Sequence, residues 1–271
     1  MKNIKLAITS LILVITFKTA AQETVTIPLS QPDKEGMLKM GIINGSITIK
    51  GYDGKEVEVT GISKSSKENH GHKTDKKSRP GLKRVSNNAV EFSVEELDNV
   101  VRVESSPTGT TDFEIKVPKN FSLKISTINN GNIFVENVNG TMDISNINGK
   151  ITLKDISGSV SADALNKDIL VNFINVTPNV AMAFSSLNGD IDITFPKNIK
   201  ADIKVKSDRG EIFTNFDLKE KPSEAKVTKG NNQKGNAYNV KVEKWIIGSI
   251  NGGGAEILFK NFNGDVIIRA N

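Results

Sequence analysis

The chain has 271 residues, with 36 basic and 31 acidic side chains, two histidines and no cysteine. The missing thiols exclude disulfide stabilisation, thiol chemistry and lipid attachment through cysteine. Three lysines and no acid fall in residues 1–21, so the remainder is nearly neutral at +2; the basic balance gives no reason to expect nucleic acid.

At the amino terminus, Lys2 and Lys5 precede an apolar run from Leu6 to Phe17, followed by Thr19-Ala20-Ala21. A basic start, a short apolar stretch and small residues predict a signal peptide over 1–21. The run is shorter than the ~20 residues a membrane span needs, and no other run approaches that length. The expectation is an exported protein, in the periplasm, on the cell surface or outside the cell. Residues 22–271 should then form a single domain without a transmembrane span.

The stretch "TVTIPLSQPDKEGMLKM" (24–40) is not repetitive and reads as a lead-in or cap over a first coil. Next comes "INGSITI" (43–49), the first copy of a unit that recurs down the chain. Residues 63–86 interrupt it with six lysines, two arginines and only two acids. Such a segment cannot bury a core, so it predicts a flexible insertion. His70, His72, Lys76, Lys77 and Arg79 lie within it and form a candidate surface for an anionic partner. Two histidines do not complete a metal site. Further on, "IKVPKNFSLKIS" (115–126) matches "ITFPKNIKADIK" (193–204), and Pro118 and Pro196 should mark strand ends because proline cannot donate within a ladder.

The densest repeat lies at 130–175. Gly131, Gly140, Gly149 and Gly158 are nine residues apart, and each is followed by an aliphatic–x–aliphatic triplet. Gly45, Gly189 and Gly264 occupy the same place in "INGSITI", "LNGDIDI" (187–193) and "FNGDVII" (262–268). "INGGGAEIL" (250–258) reads as another copy and "DRGEIFT" (208–214) as a degenerate one. Asn-Gly is a strong hairpin signal, so an antiparallel meander competes with a solenoid. Side-chain parity decides between them. Inward residues in a strand lie two apart. Here the aliphatics run 142, 144, 147, then 151, 153, 156, then 160, 162, 165, with one step of three per unit. A solenoid corner resets the faces in that way. The expected architecture is an all-β, mostly parallel β-helix (β-solenoid) with about 18–22 residues per coil, two units each.

Stacking at that period brings Asn130, Asn148 and Asn166 into one column, and Asn139, Ser157 and Asn175 into another. Stacked asparagines can form amide ladders. Glycine at the corner allows positive φ. After the corner, Lys150, Asp168, Asp190 and Glu211 should form a further column. Like charges on strands ~4.8 Å apart repel unless paired, solvated or bridged; calcium and carboxylate catalysis on a polysaccharide are the sharper alternatives to a solvated row.

Residues 218–238 are polar and lysine-rich and read as a second insertion. Trp245, the one tryptophan, is either a packing residue of the last coils or an exposed platform for a sugar. The chain finishes on the repeat strand "GDVIIRAN". An uncovered terminal coil would leave an open β edge, which predicts docking on a partner or a homo-oligomer formed through that coil.

The run "IGSINGGGAEILFKNFNGDVIIR" (247–269), with "NGNIFVENVNG" and "NGKITL", resembles bacterial exported proteins of the "putative adhesin" class, a family of domains of unknown function. The resemblance covers most of 37–271 and implies a right-handed β-helix. It brings no catalytic residues and no cofactor. No P-loop, G-x-S-x-G or H-E-x-x-H pattern occurs. The expectation is therefore a non-enzymatic, adhesin-like protein that binds a cell-envelope component, glycan or protein. An envelope-stress or signalling accessory is the alternative, and a polysaccharide-active enzyme stands behind both.

Overall fold

A computed structural model describes residues 22–64, 90–107, 109–129, 131–222, 226–231, 238–243 and 245–271, with the backbone alone for 226–231 and 238–243. The expected signal peptide and most of the insertion at 63–86 lie outside the described residues. Among the described residues, twenty strands form one mostly parallel sheet, and two more pair antiparallel in a separate sheet. Among the described residues there is no helix.

The sheet folds into two faces that meet at corners. One face stacks, in spatial order, Phe92–Leu97, Val100–Ser105, Gly36–Asn44, Phe121–Asn129, Asn139–Asn146, the second half of Ile151–Ala164, Met182–Asn188, Ala255–Asn263 and Ala201–Ser207. The other face stacks Gln22–Pro28, Glu56–Ser63, Thr111–Pro118, Ile47–Tyr52, Ile133–Glu136, the first half of Ile151–Ala164, Ile169–Val176, Ile191–Phe195, Val266–Ala270 and Ile212–Thr214. Ile151 pairs with Ile169, which pairs with Ile191; those steps of 18 and 22 residues are the expected coil lengths. The parallel interior is flanked by antiparallel strands: Gln22–Pro28 and Glu56–Ser63 at one end, Ile246–Ile250 and Lys219–Lys221 at the other.

The core runs between the faces. Ile47, Ile133, Ile151, Ile169, Ile191 and Val266 are fully buried in one continuous row. Each such side chain contributes roughly 1.5–3 kcal/mol of apolar burial, which lets the stack stand without disulfides. Phenylalanines fill its later half, Phe173 stacking on Phe195 at 5.1 Å and Phe184 on Phe259 at 5.3 Å. Pro118 closes Thr111–Pro118 and Pro196 directly follows Ile191–Phe195, as expected.

Several sequence expectations are corrected. Ile147, Leu165 and Ile174 point outward, being 40%, 38% and 50% exposed. Strand alternation continues through Met142 and Ile144 to Asn146, which is 2% exposed and takes the inner place at the corner. The step of three is real, but at this corner it falls two residues later, from Asn146 to Gly149; at the opposite corner it falls from Leu153 to Ile156, as expected. "INGGG" at 250–254 is not a solenoid corner: Ile246–Ile250 runs antiparallel to Ala201–Ser207, whereas Ala255–Asn263 runs parallel to it. A tight reversal with positive φ at Asn251, Gly252 and Gly253 joins the two.

Stacking order also departs from chain order. The coil 36–52 lies between 100–118 and 121–136, so it is not the first coil, and the lead-in instead forms an edge strand against Glu56–Ser63. The coil 255–270 lies between 182–195 and 201–214. The open edge expected at the carboxy terminus is therefore occupied on both sides. The second insertion is not structureless either, since Lys219–Lys221 joins the main sheet and Lys226–Asn231 pairs with Tyr238–Glu243.

Candidate binding surfaces

The Asn-Gly corner is built from three columns. In the first, Asn148 donates its amide to Asn129, Asn166 to Asn148, Asn188 to Asn166 and Asn263 to Asn188, at 2.8–3.0 Å. This is the predicted amide ladder, entered by Asn129 in place of Asn130, which lies outside the described residues. At the opposite corner, Asn139 is in register with Ser157 and Ser157 with Asn175.

The second column is the glycines. A methyl on Gly149 would overlap the Gly131 carbonyl, one on Gly131 the Gly45 carbonyl, and one on Gly210 the Gly264 carbonyl. Close approach of successive backbones, more than φ, requires glycine here; positive φ occurs at Gly45 and Gly264 but not at Gly131, Gly149 or Gly189. Gly140 and Gly158 belong to the opposite corner, where a methyl on Gly158 would meet the Gly140 carbonyl.

The third column is the acidic one. Ser46 donates its N–H to the Asp112 carboxylate, Asn132 to Ser46 Oγ and Lys150 to Asn132 Oδ1. Asp190 donates to Asp168 Oδ1 at 3.2 Å, Asp265 to Asp190 Oδ1 at 2.8 Å and Glu211 to Asp265 Oδ1 at 2.8 Å. Asp265 thus separates Asp190 from Glu211, which the sequence reading had placed side by side. Each side-chain oxygen accepts a backbone N–H from the next coil, so the column works as a clasp. Among the described residues, no group of three or more acidic or histidine side chains is placed to hold a metal ion. Burial raises the Asp168 carboxyl, but the Lys150 ammonium at 2.9 Å and the Asp190 N–H outweigh it and hold the group below its ordinary range. Asp192, next to the clasp, is bound by Arg269 through two guanidinium nitrogens at 2.8 and 3.0 Å.

Sequence reading missed a fourth set inside the corner. Asn146 donates to the Gly131 carbonyl and accepts from Gly149 N–H. Asn261 donates to the Gly189 carbonyl, Thr127 to the Gly45 carbonyl and Ser207 to the Gly264 carbonyl. These side chains supply partners to backbone carbonyls at the corner; a buried carbonyl left unpaired costs ~1–3 kcal/mol. The available signal was a polar residue three places before most of these glycines.

The outward aliphatics form a surface that sequence reading had assigned to the core. Ile43, Ile128, Ile147, Leu165, Leu187 and Phe262 are 37–42% exposed and occupy equivalent positions in successive coils. At ~4.8 Å per strand the ridge is about 24 Å long. Beside it, on the same face, run the small outward residues Gly41, Ser126, Ser145 and Ser185. Two open grooves lie along this face. One, about 530 Å³, is lined by Lys39, Arg102 and Lys124 with Glu104 and Asp143. The other, about 650 Å³, is lined by Leu165, Leu187 and Phe262 with Asp163, Asp208, Ser185, Lys206, Lys260 and Arg209, Lys206 being paired with Asp208 at 3.0 Å. A third groove of about 410 Å³ lies at the opposite corner around Val180, Ile199 and Gly254.

Trp245 stands near the second of these grooves, half-buried, with Lys204 and Lys206 at 5.1 and 5.9 Å from its ring. Its neighbour Ile246 is 37% exposed. His70, His72, Lys76, Lys77 and Arg79 lie outside the described residues.

Residues 127–244 match the family model described as Toastrack DUF4097. No curated protein matches the chain. Two solved structures are similar. A "putative cell adhesion protein" from Clostridium sporogenes ATCC 15579 is 12% identical with a TM-score of 0.45, over 93% of this chain and 100% of that one. A "putative adhesin" from Bacteroides fragilis NCTC 9343 is 13% identical with a TM-score of 0.33, over 92% and 97%.

Proposed function

We propose that this chain is an exported, non-enzymatic binding protein of the cell envelope, adhesin-like in the sense that it holds an extended partner along a rigid face. The observation that carries the reading is the ridge from Ile43 to Phe262. Six exposed aliphatic or aromatic side chains in line are a patch that a monomer has reason to cover. The scaffold beneath them is held by the amide ladder and the backbone clasp, so the face changes shape little on binding. Two features support the non-enzymatic part. Asp190 and Asp192, the carboxylates an attack on polysaccharide would recruit, are engaged by Asp265 N–H and by Arg269. The acidic column serves to join coils. Export rests on the leader pattern at 1–21, and removal of that segment would start the chain at the edge strand Gln22–Pro28.

Ile128→Asp with Ile147→Asp tests the reading. Both side chains point outward, so the fold should persist by circular dichroism. Retention of the purified 22–271 protein on envelope fragments from its own cells should fall at least tenfold. Retention equal to that of the unsubstituted protein would remove the ridge as the binding face. A glycan-hydrolysis assay that loses activity on joint replacement of Asp190 and Asp192 would instead favour an enzyme.

A further inference from the structure

We infer that the groove between Leu165, Leu187 and Phe262 binds an acidic glycan, a chain of sugars carrying carboxylates; the inference rests on reading the chain as a binding protein. Three kinds of contact converge there. Leu165, Leu187 and Phe262 offer an apolar wall in three successive coils. Lys260 and Arg209 supply positive charge. Lys260 is exposed and has no ion-pair partner among the described residues, and the Arg209 guanidinium lies 5.0 Å from the centre of the Phe262 ring. Beside them the exposed Asp163 carboxylate accepts from the Ser185 hydroxyl and keeps further acceptor capacity.

A partner must therefore present an apolar face, an anion and neutral donors within one short span. A uronic-acid sugar does so: its ring C–H face packs on the aliphatic wall, its carboxylate meets Lys260 and Arg209, and its hydroxyls donate to Asp163. An acidic peptide lacks the hydroxyl array that would donate to Asp163. A flat membrane surface does not follow a groove of this kind, and titration with vesicles checks it. The direction of the groove also suits a polymer, since equivalent positions repeat at the ~4.8 Å strand spacing and lead along the small-residue strip toward Lys124, Lys39 and Arg102.

The test is titration of the 22–271 protein with hexagalacturonate, its methyl-esterified form, a neutral glucan hexamer, polyglutamate and phosphatidylglycerol vesicles. Saturable binding of the uronate is expected, with loss on esterification. Lys260→Gln with Arg209→Gln should weaken it about tenfold or more, as for removal of charge-assisted hydrogen bonds. Lys50→Gln, on the other face, should leave it unchanged. No uronate binding, binding indifferent to the Lys260 and Arg209 changes, or equal binding of polyglutamate or vesicles would each overturn the inference. Because the envelope-retention test alters Ile128 and Ile147, outside this groove, the broader reading can survive that failure and be recognised as surviving it.

Discussion

The middle of the molecule and its two ends are made of the same repeat but are assembled differently. From 121 to 195 each coil lies on the one before it in sequence, 18–22 residues back. At each end a coil distant in sequence is interposed: 36–52 between 100–118 and 121–136, and 255–270 between 182–195 and 201–214. The flanking coils at both places are themselves about one coil length apart in sequence, so they could have paired directly. The repeat specifies what a coil pairs with by type, and every copy presents the same ladder. Which copy takes the place is decided by the whole stack, through core volume and side-chain fit.

The largest expected effect tests whether the interposed coil belongs to the same cooperative unit as the middle. Phe259 is fully buried between Phe184 and Phe195. Phe259→Ala should destabilise by about 3–5 kcal/mol, the cost of deleting a core ring, and Leu153→Ala in the middle by about 2–5 kcal/mol. Both should shift a single denaturant transition. A separate early transition in the Phe259 variant alone would show that the carboxy-terminal coil melts independently and break the equivalence.

Glycine substitution sharpens the comparison next. Gly149→Ala in the middle and Gly210→Ala at the end both drive a methyl into a neighbouring carbonyl. Each should cost about 1–3 kcal/mol as overpacking does, read as a lowered midpoint at unchanged slope. For Gly210 the clash exists only because Gly264 sits beside it, so a neutral Gly210→Ala would argue against the interposed position of 255–270.

The amide ladder should respond less. Asn166→Ala removes one amide donated and one accepted, and Asn263→Ala removes one donated to Asn188. At ~0.5–1.5 kcal/mol per hydrogen bond, reduced by exposure, Asn166→Ala should be the costlier of the two in thermal unfolding.

The smallest effect is acid sensitivity at the clasp. The folded state holds the Asp168 carboxyl below its unfolded value of about 3.8. Its contribution is therefore complete above that value and is lost as pH falls through the lower folded value. The side chain is 35% exposed, so the pair contributes only a fraction of a kcal/mol after screening. Unfolding measured between pH 6 and 3 should show Asp168→Asn less acid-sensitive than the parent, by a small margin. Equal sensitivity would leave the Lys150–Asp168 pair without a role in stability.

Individual residues show how far the sequence could be read. The nine-residue spacing of glycines marked the corners, and the positions of Asn148, Asn166 and Asn188 marked a ladder that the structure closes with hydrogen bonds. Ile147 was misread because an aliphatic residue next to a glycine looks the same whether it faces core or solvent. Only the neighbouring polar residue, Asn146, with two backbone partners waiting for it, settles which one turns inward. Asp265 was missing from the acidic column because it lies 75 residues from Asp190, a separation no local period can register. The Lys260–Arg209–Phe262 cluster shares that cause, since it arises only when 255–270 is set beside 182–195 and 201–214.

By itself the sequence determined the all-β class, the coil length, the two-faced alternation and the asparagine and glycine columns of the corners. Those follow from local physics: strand parity, the room left by glycine and the hydrogen-bonding reach of asparagine. The tertiary structure alone decided the order of the coils, the outward turn of the ridge and the place where cations, hydroxyls and apolar side chains meet. Those depend on contacts between segments far apart in the chain, chosen by the packing of one continuous core among repeats that are locally interchangeable.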